Sequence, residues 1–195
     1  ALAPRARITW TFADATLEPA LRALGRRDQD APLSSHVTAL ATDVEPPAVD
    51  GVEVRRIETF GEFRVALEVA IAGWAFVSEE AERQRSEAPE TWARHRSRPG
   101  GDWGAYLDGR LVAYGGAIAG PAGLFLTGGV TAPDARGRGA YRALVRARWD
   151  EAVRLGTPAL AVHAEEASRR VLEAIGFERA CEIVELVSDS FGEPD

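Results

Sequence analysis

Alternating apolar and polar positions predict several short strands along the chain. Ile8, Trp10 and Phe12 alternate with threonines, which is typical of a half-buried strand. Asp108-Gly109 lies between two apolar runs and is a strong signal for a hairpin turn. The further predicted strands cover residues 36–42, 52–57, 103–107, 111–118, 124–131, 158–163 and 177–187.

Apolar positions three or four residues apart predict helices between these strands. The helix that ends near Leu155 carries the clearest stripe, and we expect its apolar side chains to be buried. These are Tyr141, Leu144, Val145, Trp149, Ala152 and Val153. Other helices are predicted over 17–24, 60–72, 78–96 and 167–175, with a break in the third at Pro89. The order is mixed α/β, with hairpins first and strand–helix–strand units later.

Paired prolines divide the chain into two parts. Pro46-Pro47, followed by Asp50-Gly51, favours an extended linker and a turn. Residues 1–48 before it form a predicted strand–helix–strand element, and residues 50–190 form the main domain. The short element repeats the spacing of the closing unit, either as a partial copy or because amphipathic strand–helix units resemble one another. It cannot bury its apolar face alone, so we expect it to dock on the same chain or on a second subunit of a homodimer.

Composition narrows the class of protein. The 195 residues are 46% apolar and carry a net charge of −7, which indicates a globular acidic protein and argues against a nucleic-acid binder. No apolar run reaches the roughly 18 residues that cross a bilayer, and no signal peptide is evident, so we expect a cytoplasmic protein that does not bind membranes. Arginine replaces lysine throughout, a compositional bias for which we expect a bacterial source. With one cysteine and three scattered histidines, we expect no metal site.

The segment from Arg136 to Tyr141 joins a predicted strand to a predicted helix. A phosphate needs inward-pointing amides and room for the backbone, and Gly137 and Gly139 supply that room beside a helix N-terminus. Arg136 and Arg138 add positive charge. The Gly-Lys-Ser/Thr of a P-loop is missing, and Arg142 stands where a dinucleotide fingerprint needs glycine.

This segment resembles the central motif of the GNAT N-acetyltransferase superfamily, Arg/Gln-x-x-Gly-x-Gly/Ala. Arg136 and Gly139 match the motif, whereas Tyr141 departs from its final position. The order of elements over residues 52–188 and the helix ending in Gly176-Phe177 are also similar. The resemblance implies a mixed α/β fold with a central, largely antiparallel, splayed sheet flanked by helices. Residues 1–48 would then be the remnant of half of a second such domain.

The resemblance further implies acetyl-CoA as co-substrate and transfer of its acetyl group to a primary amine of a small molecule. Backbone groups of Val130 and Thr131 would pair with the pantetheine arm. The loop and the first turn of the helix would hold the pyrophosphate, through Arg136, Gly137, Arg138, Gly139, Ala140, Tyr141 and Arg142. The acidic net charge favours a cationic acceptor.

Two positions depart from the family's catalytic pattern. The usual tyrosine acid falls at Leu172, and the usual asparagine falls at Glu165. His163, at the end of a predicted strand, is a candidate base or acid near neutral pH, as is Glu165. Either side chain could instead be a polar residue that only ends a strand or begins a helix. A catalytically inactive CoA-binding or interaction module is therefore the alternative to an enzyme.

Overall fold

A computed structural model describes residues 8–12 and 33–188. The strands are β1 (Ile8–Phe12), β2 (Leu33–Thr42), β3 (Glu53–Arg56), β4 (Gly100–Leu107), β5 (Arg110–Gly120), β6 (Gly123–Thr131), β7 (Leu160–Ala164) and β8 (Glu178–Ser188). The helices are α1 (Phe60–Trp74), α2 (Ser78–Ser97), α3 (Ala140–Arg154) and α4 (Glu166–Glu173), and a short 3₁₀ turn covers Pro133–Ala135. The predicted helix over 17–24 lies outside the described residues.

The strands form one sheet in the order β1-β8-β2-β7-β6-β5-β4-β3. Every adjacent pair is antiparallel except β6 and β7, which run parallel. Asp108 and Gly109 have φ values of 51° and 75° and form the predicted hairpin turn between β4 and β5. The predicted mixed α/β fold with a largely antiparallel sheet is confirmed.

The described strands of the first predicted unit interleave with those of the closing unit within this sheet. β2, from the first unit, lies between β7 and β8 of the closing unit and pairs with both. β8 in turn lies between β1 and β2 of the first unit. The second strand of each unit is therefore flanked by both strands of the other unit.

Helices cover both faces of the sheet. A Cβ on Gly115 of β5 would meet Arg148 of α3, whereas a Cβ on Gly116 would meet Arg98, just after α2. Because successive strand residues point to opposite faces, α3 and the α1–α2 pair lie on opposite sides. α2 continues through Pro89, contrary to the predicted break, and the exposed position leaves water free to satisfy the carbonyl that the proline cannot bond. In the described ranges, no helix is long and apolar enough to span a bilayer.

The buried stripe of α3 shares Leu144, Val145, Trp149 and Ala152 with the predicted one and differs from it elsewhere. Val153 is exposed, whereas Arg148 is only 1% exposed and lies on the core-facing side. Arg148 follows Leu144 by four residues and Val145 by three, so helical geometry places the three side chains on one face. The buried face of α3 therefore carries a cationic side chain among its apolar residues.

Candidate active site

A cleft opens where β6 and β7 separate. Their pairing consists of Leu124 with Leu160, Phe125 with Ala161 and Leu126 with Val162. Beyond these pairs, residues 127–131 of β6 keep β5 as their neighbour on one side only. A cavity of about 930 Å³ lies in this opening, between β6, β7 and the beginnings of α3 and α4.

A bulge bends β6 at the cleft. Thr127 pairs with Gly116 and Val130 with Tyr114, so the two residues Gly128 and Gly129 stand opposite one residue of β5. Gly128 has a φ of 60°, which favours glycine, and the Trp74 ring would lie 3.7 Å from a Cβ placed there. The bulge therefore exposes a stretch of β6 backbone next to the Trp74 ring.

The loop after β6 leads into an uncapped helix. Gly137 and Gly139 have φ values of 78° and 87°, and Gly139 is the N-cap of α3 without a side-chain cap. The first amide of α3 bonded to the backbone ahead of it is that of Ala143, which donates to the Gly139 carbonyl at 3.0 Å. The amides at the first three helical positions thus have no helical acceptor, and with the helix dipole they form an anion site.

The three arginines of this region differ in their partners. Arg136 donates from Nη2 to the Gly73 carbonyl at 2.8 Å and so ties the loop to the end of α1. Arg138 lies 3.5 Å from an Asp108 oxygen. Arg142 is exposed, lines the cavity and has no ion pair or hydrogen-bond partner within the part of the chain that the structure describes. Of the three, Arg142 is the one free to bind an anionic ligand.

His163 and Glu165 line the same cavity as the loop. His163 is exposed on β7, and its ring centroid lies 4.9 Å from that of Phe125 in an edge-to-face arrangement. Glu165 is the N-cap of α4, but its side chain makes no capping hydrogen bond. The structure therefore brings both side chains to the cleft with their polar atoms unused by the helix cap.

Leu172, at the position of the usual tyrosine acid, has 0% exposure and belongs to the hydrophobic core. The α4 helix therefore supplies no proton donor at this position. Trp74 and Phe76, in contrast, pack together with ring centroids 5.6 Å apart near the cleft, and Trp74 lines it.

Arg148 is a residue at the cavity wall that the sequence reasoning missed. Its Nε donates to the Leu144 carbonyl at 2.9 Å and its Nη1 to the Gly116 carbonyl at 3.0 Å. Burial lowers the pKa of Arg148 to about 10, so the side chain stays protonated at neutral pH. The available signal was an arginine on an otherwise apolar helical stripe.

A second group that the sequence pattern does not predict is a cluster of Asp102, Tyr114 and His95 on the α1–α2 face of the sheet. Asp102, 4% exposed, accepts a 2.7 Å hydrogen bond from the Tyr114 hydroxyl, and His95 Nδ1 lies 3.2 Å from both of its oxygens. Burial raises the pKa of Asp102, but the hydrogen bonds from His95 and Tyr114 outweigh it and leave that pKa below its ordinary value. Burial, followed by the charge of Asp102, raises the pKa of Tyr114 well above its ordinary value. The three residues come from α2, β4 and β5, so no local pattern connects them.

The cleft has the features that an acyl-CoA requires. Its helix N-terminus and Arg142 can bind a pyrophosphate, and its open β6 backbone can pair with the amides of a pantetheine arm. The loop, the open part of β6 and the bulge all line the same cavity. The residues present therefore fit coenzyme A.

Comparison with protein families decides the classification. The model of the acetyltransferase (GNAT) family matches residues 68–177, more than half of the chain. The chain belongs to the GNAT family. The matched range covers α2, the cleft strands β4–β7, the Gly/Arg loop and the α3 and α4 helices. No curated protein matches the chain by sequence.

Solved GNAT structures share this fold at low sequence identity. The match to a GNAT-family protein from Novosphingobium aromaticivorans covers 95% of this chain and 75% of that protein's chain, with 18% sequence identity and a TM-score of 0.63. A GCN5-related N-acetyltransferase from Sphaerobacter thermophilus matches 97% of this chain, which spans 62% of that protein, with 18% identity and a TM-score of 0.60.

The PaiA N-acetyltransferase from Thermoplasma acidophilum, solved in complex with coenzyme A, matches 69% of this chain and 97% of its own. The identity is 14% and the TM-score 0.56. At these identities the likeness concerns the GNAT fold. The predicted family membership is confirmed by the family match.

Proposed function

We propose that this GNAT protein transfers the acetyl group of acetyl-CoA to a primary amine of a small molecule. The observation that carries the proposal is the uncapped N-terminus of α3, which faces the same cavity as the open edge of β6. An anion site and an unpaired strand edge in one cleft match the two polar parts of coenzyme A, its pyrophosphate and its amide-containing arm.

The proposed binding mode assigns each part of the donor to a segment of the chain. The amides from Arg138 to Tyr141, together with Arg142, bind the pyrophosphate, while Gly137 and Gly139 let the backbone approach it. The backbone of Val130 and Thr131 pairs with the pantetheine arm. Arg136 keeps the loop in place through its bond to Gly73. The thioester then lies toward the bulge at Gly128 and Gly129.

The proposed reaction is direct transfer. The lone pair of the neutral amine attacks the thioester carbonyl carbon, a C–N bond forms, and the C–S bond breaks with its electrons on sulfur. Positioning of the two reactants supplies much of the rate enhancement. The amine also loses a proton, and His163 and Glu165 are the exposed groups at the cleft that can accept it, directly or through water.

The cleft mouth favours an amine that carries an apolar group and a positive charge. Trp74 and Phe76 offer an aromatic surface, which also attracts cations. Glu165 lines the cavity, and the net charge of the chain is −7. These features support a cationic small-molecule acceptor.

A panel of amines tests the proposal. Release of free CoA from acetyl-CoA is measured with aromatic, aliphatic and polyamine acceptors, and calorimetry measures CoA affinity in parallel. We expect CoA binding and amine-dependent release. Binding without release from any amine would favour a non-catalytic CoA-binding module, for which the buried Leu172 is the specific argument. A protein that binds neither CoA nor acetyl-CoA would refute both functions.

A further inference from the structure

Among the side chains that the structure describes, the buried guanidinium of Arg148 has no negative partner. Nε and Nη1 donate to backbone carbonyls, while Nη2 is buried and has no hydrogen-bond partner. Within residues 37–183, no carboxylate forms an ion pair with Arg148. A buried, unpaired charge and an unsatisfied buried donor are both costly, so their presence at a cleft calls for a compensating ligand charge.

Gly115 leaves the space that the guanidinium occupies. A Cβ on Gly115 would lie 3.0 Å from Arg148 Nη1 and 3.4 Å from the Cα of Gly129. The guanidinium of Arg148 and the backbone of the β6 bulge therefore border the same small space. A Cβ on Gly129 would come within 2.6 Å of the ring of Tyr141, which also belongs to α3.

The path of the proposed donor leads to this bulge. A pantetheine arm that starts at the Gly/Arg loop and runs along β6 passes Thr131, then Val130, and reaches Gly129 and Gly128 with its sulfur end. Negative charge develops at that end when the C–S bond breaks, because the bonding electrons stay on sulfur. Leu172 leaves α4 without a hydroxyl that could protonate the sulfur.

We propose that Arg148 stabilises the departing CoA thiolate electrostatically, from beside the Gly128–Gly129 bulge. The inference rests on the proposed function, since it requires CoA in the cleft. Because Nη2 is buried, Arg148 acts on the sulfur across the backbone of the bulge and does not touch it. Arg148 is therefore a positioning residue, which places a positive charge near the leaving group. Because the dielectric constant around a fully buried cation is low, its electrostatic effect reaches across the bulge.

The thiol pKa of bound CoA tests this inference without turnover. The ultraviolet absorbance of the thiolate is followed against pH for free CoA and for CoA bound to wild type, Arg148→Met, Arg148→Lys and Arg154→Met. We expect wild type to lower the thiol pKa by about 1 pH unit or more, as a nearby opposite charge does. Arg148→Met should return it to the value of free CoA, and Arg148→Lys should restore most of the lowering. Arg154→Met, at the exposed end of the same helix, should behave as wild type.

The same variants separate this inference from the proposed function. Calorimetry should show that Arg148→Met binds CoA within about threefold of wild type, because the charge acts on the thiolate and not on the neutral thiol or the pyrophosphate. A wild-type complex whose thiol titrates like free CoA would overturn the role of Arg148 while leaving the acetyltransferase proposal intact. That measurement requires no variant to fold. Failure of wild type to bind CoA would instead refute the proposed function itself.

Discussion

His163 lies on β7 with its ring exposed at the cleft and its edge-to-face partner Phe125 beside it. We predict that His163→Ala lowers kcat by about 100-fold, the usual contribution of a general acid or base, and changes the pH–rate profile. CoA affinity should change by less than twofold, because the ring is not assigned to the pyrophosphate or the arm. Steady-state kinetics over pH, with calorimetry, measures both. An unchanged pH profile in the variant would assign His163 to packing against Phe125.

The carboxylate of Asp102 accepts hydrogen bonds from two partners, and it makes the free energy of unfolding depend on pH. Its pKa is lowered in the folded state, so its ionised form stabilises the fold above the unfolded-state pKa near 3.9, and this contribution disappears as the pH falls through the lower folded-state pKa. We predict that Asp102→Asn lowers the free energy of unfolding by about 1–3 kcal/mol at pH 7. The difference from wild type should shrink as the pH approaches 3. Urea unfolding at several pH values measures it.

Asp150 provides the control for this prediction because it is exposed and pairs with Arg146 on its own helix. Asp150→Asn should cost less than about 0.5 kcal/mol at any pH. If both variants lost the same small amount, Asp102 would not be a stabilising centre of the α1–α2 face.

The beginning of α3 is the element that we assign to the pyrophosphate. Substitution of Gly139 is a poor test, because its φ is 87° and a Cβ would meet Val49 at 2.8 Å, so the fold itself would be disturbed. Arg142→Glu reverses an exposed charge that has no partner among the described residues, and we predict a 10- to 100-fold loss of CoA affinity, equivalent to about 1–3 kcal/mol. Arg64→Glu, exposed on α1, makes the same change in net charge and should leave the affinity nearly unchanged. Equal losses in both variants, by calorimetry, would attribute the effect to overall charge.

β2 lies between β7 and β8 and contributes to the hydrophobic core. Leu40, 1% exposed, belongs to the same core cluster as the apolar residues of α3 and β7. We predict that Leu40→Ala lowers the free energy of unfolding by about 2–5 kcal/mol, as for other buried leucines. Val44→Ala, at a site 58% exposed just after the strand, should cost less than about 0.5 kcal/mol. Urea unfolding compares the two, and equal costs would show that β2 does not contribute to the core.

Elements with local signals were predictable from the sequence. The Asp108-Gly109 turn, the strands that flank it and the glycine-bounded start of α3 depend on neighbouring residues and appear where expected. The insertion of β2 between β7 and β8 depends on contacts between residues far apart in the chain, which no local pattern encodes. The same limit applies to the Asp102 cluster, because its three members come from separate elements. Arg148 lies on an apolar helical stripe, which is a local signal. Its burial is nevertheless unexpected, because arginine side chains are mostly exposed.

At one end of the sheet, the described strands of the first unit and those of the closing unit have an approximate two-fold relation. β1 and β7 are the outer members of the set β1-β8-β2-β7, and β8 and β2 are the antiparallel inner members. This arrangement supports the proposal that residues 1–48 are a half-copy of a GNAT-like unit, interleaved with the closing unit of the main domain.

At the scale of the molecule, we predict that removal of residues 1–48 lowers solubility and thermal stability. The truncation leaves β7 and β8 each without the strand between them, and unpaired edges of this kind favour aggregation. Differential scanning calorimetry and size-exclusion chromatography compare the chain that begins near Asp50 with the full chain. A truncated protein that is equally soluble, equally heat-resistant and equally tight for CoA would show that the first unit is an independent appendage.

The place of β2 in the sheet also constrains how the chain can fold during synthesis. β2 is complete once Thr42 has been made, but its partners begin at Leu160 and end at Ser188. At roughly 5–20 residues per second, β2 must wait on the order of ten seconds for its neighbours to leave the ribosome. During that interval both of its edges are open, and a second nascent chain on the same messenger is the nearest source of a β8 strand. Exchange of β2 between neighbouring chains is therefore a hazard of translation that dense ribosome loading would increase and slow initiation would reduce.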